Sequence, residues 1–76
     1  MDPKLQEETE AAGREILAYL EVHGETSVLD LKDKLGFPEV VFYFGLGDMI
    51  LKHRVGLRRH DEVFWAVLRP ALAKAA

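Results

Sequence analysis

A chain of 76 residues sits where one small domain folds alone while burying only about 60% of its unfolded surface. With 49% hydrophobic and 30% charged residues and a mean hydropathy of -0.05, the composition is that of an ordinary globular domain, not a disordered tail. The absence of cysteine excludes disulfides, thiolate metal sites, iron–sulfur clusters and a cysteine nucleophile, and the net charge of -3 hides an asymmetry: residues 1–38 are acidic, while residues 39–76 carry an excess of bases.

Asp2 followed by Pro3 predicts a helix start, a capping side chain before the residue best tolerated in the first turn. Leu5, Ala12, Ile16, Leu20 and His23, with Gly13 and Tyr19 beside them, recur on one face with a 3.6-residue period. The first helix therefore spans about 3–23, stopped by Gly24. Gly13 inside it marks either a frayed first segment or a close helix crossing.

Glu25-Thr26-Ser27 leaves room for a turn or a single bridge of strand. Ser27, with Asp30 three residues on, predicts the start of a second helix over 27–35 with Val28, Leu31 and Leu35 inward and Gly36 as its stop. Phe37-Pro38 restarts a third helix over 38–52 after a three-residue turn, the sequence form of a helix-turn-helix. Arg54 to Arg58 and Val63 to Arg69 then read as two strands joined by the polar residues Arg59, His60, Asp61 and Glu62. In the second strand Phe64, Ala66 and Leu68 alternate with Val63, Trp65 and Val67, so both of its faces are apolar. Residues 70–76 form an alanine-rich tail, helical if docked and frayed otherwise.

This order of elements resembles the winged helix-turn-helix domain: an α+β fold of three helices closed by a two-stranded hairpin wing, here a core over 3–69 in a single domain. More narrowly, Ile16 to Arg69 is similar to a family of small stand-alone prokaryotic winged-helix proteins of unassigned function. The likeness is carried by Ile16-Leu17-Ala18-Tyr19-Leu20 with Gly24, by Ser27 to Leu35 around Leu31, and by Gly45-Leu46-Gly47 with Met49, Lys52 and Val55. It implies the range of roles of the broader fold: DNA reading, with the third helix in the major groove and the wing on phosphate or minor groove, RNA binding, dimerisation or protein docking.

The third helix has the wrong chemistry for reading bases. Arginine, lysine, asparagine and glutamine do most of that work; the chain has no asparagine, its one glutamine is Gln6, and residues 38–51 contain neither lysine nor arginine. The polar groups there are Glu39, Tyr43 and Asp48, two of them anions that a polyanionic groove repels. The helix is instead apolar on every side. Val40, Phe44 and Leu51 cluster together, Phe42, Leu46 and Met49 lie opposite, and Tyr43 and Ile50 fill the remainder. Gly45 and Gly47 call for another backbone close by, supplied either by the first helix or by a second subunit. Phe42, Tyr43, Leu46 and Trp65 are the candidate interface residues.

Lys52, Arg54, Arg58, Arg59 and His60 surround the hairpin and are the candidate phosphate contacts, which need charge and reach but carry no base information. The competing reading is a solvated surface partly neutralised by Asp61 and Glu62. Ser27 is the only serine and caps a helix, no phosphate-binding loop is present, and the histidines lack metal-ligand spacing. We therefore expect neither catalysis nor a cofactor nor a metal. The longest near-apolar run falls far short of the roughly 20 residues needed to cross a bilayer, and charged Asp2 and Lys4 replace an apolar leader, so the expectation is a cytoplasmic protein without membrane contact. Two functions remain: a regulator or accessory factor whose wing contacts duplex DNA non-specifically, or a module that forms a homodimer or docks on a protein through its third helix and last strand.

Overall fold

The computed structural model describes residues 2–69. Three helices, α1 (Pro3–His23), α2 (Val28–Leu35) and α3 (Glu39–Leu51), are combined with strands β1 (Thr26–Ser27), β2 (Val55–His60) and β3 (Val63–Leu68). The strands form an antiparallel sheet in the order β1-β3-β2. This is the winged-helix arrangement, with β2 and β3 as the wing. The expected tail over 70–76 lies outside the described residues.

The helix boundaries follow from local chemistry. Asp2 accepts a hydrogen bond from the Lys4 amide at 2.8 Å, and Pro3 opens α1. Ser27 has two roles: it pairs with Trp65 as the end of β1, and its hydroxyl accepts from the Asp30 amide at 3.2 Å as the cap of α2. Gly36 ends α2 in the left-handed region at φ 72°, where a side chain would be strained. Pro38 stands just before α3 as its cap, one position earlier than the first-turn placement its ring would allow, and its carbonyl accepts the first helical bond from Phe42.

The exit of α3 is a Schellman closure: the His53 amide donates to Ile50 and the Arg54 amide to Met49. His53 occupies the left-handed position, φ 59°, that glycine normally takes. The hairpin connection is shorter than the four-residue link read from polarity. Arg59 and His60 remain in β2, opposite Phe64 and Val63, and Asp61 and Glu62 make the turn alone. Both have positive φ, 51° and 64°, the requirement of a two-residue turn whose twist matches the strands.

Ile16 and Leu20 from α1, Leu31 from α2, Phe42, Leu46 and Met49 from α3, and Val55 and Ala66 from the sheet meet in one core. Full burial of each large side chain contributes about 1.5–3 kcal/mol. Two glycines let α1 and α3 approach: a Cβ on Gly45 would stand 2.7 Å from the Ala12 Cβ, and one on Gly13 would stand 3.0 Å from the Met49 Cε. Gly13 thus marks a close crossing. Thr9 is buried in the same helix pair, its hydroxyl without a hydrogen-bond partner among the described residues.

Candidate interface on α3 and the wing

The core divides α3 into two faces. Val41, Phe42, Gly45, Leu46 and Met49 are buried. Phe42 is 0% exposed and Leu46 is also inside, so these two expected interface residues are corrected to core residues: α1, α2 and the sheet already cover them. The outward face belongs to the opposite cluster. Val40 is 59% exposed, Phe44 46% and Leu51 79%, with Gly47 between them on the helix surface. Tyr43 borders this face at 41% exposure and is an expected contact residue that does lie at the surface.

Gly47 differs from Gly45 although only one residue separates them. A Cβ there would meet nothing within 4 Å, and glycine in a helix interior costs about 1 kcal/mol relative to alanine. Nothing among the described residues explains that choice. Beside it runs a groove between α1 and α3, bordered by Gln6, Thr9 and Glu10 on one side and Phe44, Gly47 and Leu51 on the other. Asp48 and Lys52 at its edge are joined to each other at 3.0 Å.

A second apolar hollow lies between α2, α3 and the wing, where Leu29, Tyr43, Leu57 and Phe64 leave much of their surface open above Val28 and Leu46. Tyr43 borders both hollows, which makes them one continuous apolar surface. Exposed patches of this kind mark interaction sites more often than ordinary surface. Among the apolar residues of this surface the Tyr43 hydroxyl is the one hydrogen-bond donor, while Gln6, Thr9 and Lys52 stand along the edge of the α1–α3 groove.

The candidate phosphate contacts are not gathered into one patch. Lys52 lies at the α1–α3 groove with Asp48. Arg54 is at the base of the wing, where its carbonyl accepts from the Arg69 amide. Arg58, Arg59 and His60 border a separate hollow with Glu25 and Trp65. There Arg58 reaches the Glu25 carboxylate at 3.6 Å, His60 approaches Asp61 at 3.3 Å, and the Arg59 guanidinium stands over the Phe64 ring at 5.6 Å. Acids of the same chain thus offset much of the basic charge, although these exposed pairs are individually weak. Trp65, half-buried and directly opposite Arg58 in the sheet, belongs to this hollow, apart from Tyr43.

The remaining ionised contact joins α2 to α3. The Lys32 ammonium donates to the Glu39 carboxylate at 2.9 Å; that hydrogen bond, followed by the attraction between the charges, raises the Lys32 pKa and lowers that of Glu39. His23 stacks on Tyr19 with ring centres 4.1 Å apart, as a helix-end residue. Among the described residues no helix is long and apolar enough to cross a membrane, and no three histidine or acidic side chains are placed to hold a metal ion. No family model matches the chain, and neither a curated protein nor a solved structure does.

The outward cluster of Val40, Phe44 and Leu51 is visible in the helical period of the sequence, but which side of an all-apolar helix faces out is not. The available signal is the glycine pair. The side that packs on another helix of the same chain needs one close-approach residue, and the second glycine, 200° further round, must point elsewhere.

Proposed function

We propose that this protein is a winged-helix interaction module that docks a protein surface through the outer face of α3 and the adjoining hollow of the wing. The observation that carries the reading is the composition of that face: Val40, Phe44, Gly47 and Leu51, continued by Tyr43 to Leu29, Leu57 and Phe64. Such a surface gains by leaving water, and it has almost nothing to offer a phosphate or a base edge.

A second reading rests on Arg58, Arg59 and His60 grouped about Trp65, a cluster suited to non-specific phosphate contact. Titration against a random-sequence duplex separates the two. The interaction reading expects negligible binding at low salt, unchanged by Arg58→Ala with Arg59→Ala. A regulator using Lys52, Arg54, Arg58 and Arg59 on phosphates would give a log–log salt slope of about -3.6, falling to about -1.8 in the double variant. Observing that pair of slopes, with no effect of Phe44→Asp, would overturn the interaction reading.

A further inference from the structure

We infer that the partner seated on the outer face of α3 is a second copy of the same chain, its α3 running antiparallel to the first. This rests on the interaction reading above and names the occupant. Val40, Phe44, Gly47 and Leu51 are four, three and four residues apart and fall within about 60° of arc on a helix of 3.6 residues per turn. A sequence of intervals that reads the same from either end is self-complementary when a helix is turned about a two-fold axis. An isologous interface requires this, since each residue must contact what its own contact residue contacts in return.

In the antiparallel register centred on this stripe, Phe44 of each copy faces Gly47 of the other, and Val40 faces Leu51. The largest and the smallest residues of the stripe therefore exchange places across the axis. Phe44 is half exposed, and a Cβ built on Gly47 would meet no atom of the described residues within 4 Å, which leaves a notch there. One feature supplies the knob and the other the hole. The helix propensity surrendered at Gly47 finds its reason in the partner's ring.

Charge and area agree with a like partner. The stripe is uncharged, and at the groove edge Asp48 and Lys52 are joined at 3.0 Å, leaving Glu10 as the charged rim residue without an ion-pair partner among the described residues. Val40, Tyr43, Phe44 and Leu51 together leave on the order of 400 Å² of side-chain surface open, the size of the largest apolar patch on a typical monomer, which is often functional. The groove rim of Gln6, Glu10, Asp48, Ile50 and Lys52 borders this patch and widens the surface that a second copy would cover.

The test uses the absence of native cysteine. Val40→Cys and Leu51→Cys, both at exposed positions, are oxidised separately and as a mixture. Antiparallel pairing yields a disulfide-linked heterodimer from the mixture and none from either variant alone, because identical positions lie 11 residues apart along the axis, about 16 Å, beyond the roughly 7 Å that a disulfide spans. In sedimentation, the wild type should double in mass with rising concentration, and Phe44→Asp should weaken the pair by at least about 30-fold while circular dichroism shows the fold intact. Homodimers of Val40→Cys alone, a wild type that remains monomeric near millimolar concentration, or a dimer indifferent to Phe44→Asp would each overturn the inference. Duplex binding that depends on Arg58 and Arg59, in a monomer that Phe44→Asp leaves unchanged, would overturn the interaction reading as well.

Discussion

Gly45 faces Ala12 so closely that a methyl group on the glycine would come within 2.7 Å of the alanine Cβ, and within 3.1 Å of the Gly13 nitrogen and the Thr9 carbonyl oxygen. Two of these three neighbours are backbone, which no side-chain rotation can move aside. Gly45→Ala is expected to force α1 and α3 apart, at about 1–3 kcal/mol for overpacking, against a gain of about 1 kcal/mol in helix propensity. Gly47→Ala, two positions along the same helix, meets no neighbour and keeps that gain for the dilute chain. Thermal midpoints of the two variants at low concentration should therefore move in opposite directions. For a domain of this size, each 1 kcal/mol corresponds to about 4–8 °C. Parallel shifts of the two midpoints would contradict the division of α3 into a packed and an open face.

His53 and Glu62 hold left-handed backbone with full side chains, a conformation costing an L-residue roughly 1–2 kcal/mol. Replacing either by glycine removes the clash and enlarges the unfolded ensemble, so the net gain is smaller, about 0.5–1 kcal/mol for each. His53→Gly completes the helix closure with its customary residue, and Glu62→Gly gives the hairpin an Asp-Gly turn. Urea unfolding should shift to a higher midpoint with an unchanged slope for both. A lower midpoint for either would mean that its side chain makes a contact outweighing the strain.

The Lys32–Glu39 pair predicts shallow pH limits at both ends of the range. Glu39 has its folded pKa below the ordinary 4.5, so its contribution is complete above 4.5 and disappears as pH falls through the lowered value. Lys32 has its folded pKa above the ordinary 10.5, so its contribution is complete below 10.5 and disappears as pH rises through the raised value. Between these limits the pair adds no pH dependence. Carboxyl chemical shifts should place the Glu39 midpoint below 4.5, and Lys32→Met should return it toward that value. A Glu39 midpoint at or above 4.5 in the wild type would show that the contact does not persist in solution.

Periodicity made the helices legible because their punctuation is chemical: Asp2-Pro3, Ser27 with Asp30, Gly36 and Pro38 each specify a backbone event that the structure contains. The wing turn was misread for the opposite reason. Arg59 and His60 are polar, and polarity suggests a connection; yet strand pairing with Phe64 and Val63 satisfies their backbone while their side chains stay wet. Phe42 and Leu46 show a different limit. A helix with apolar residues all round has no periodic contrast, so pattern alone cannot assign its buried side; here α1 and the sheet decide it. Thr9 gave no signal at all, since a threonine among glutamates reads as surface until α3 is laid across it.

The segment Val63 to Leu68, six uncharged residues rich in β-branched and aromatic side chains, is the middle strand of its sheet, with β1 covering only Ala66 and Trp65 on one flank. Such hexapeptides stack readily into fibrils when released. The bracket around it is ionic: Asp61 and Glu62 precede it, Arg69 follows, and Arg58 and Arg59 decorate the neighbouring strand. Charges so placed hinder edge-to-edge pairing of sheets. The wing's arginines thus place positive charge on the edge strand beside this segment, where a second sheet would have to pair.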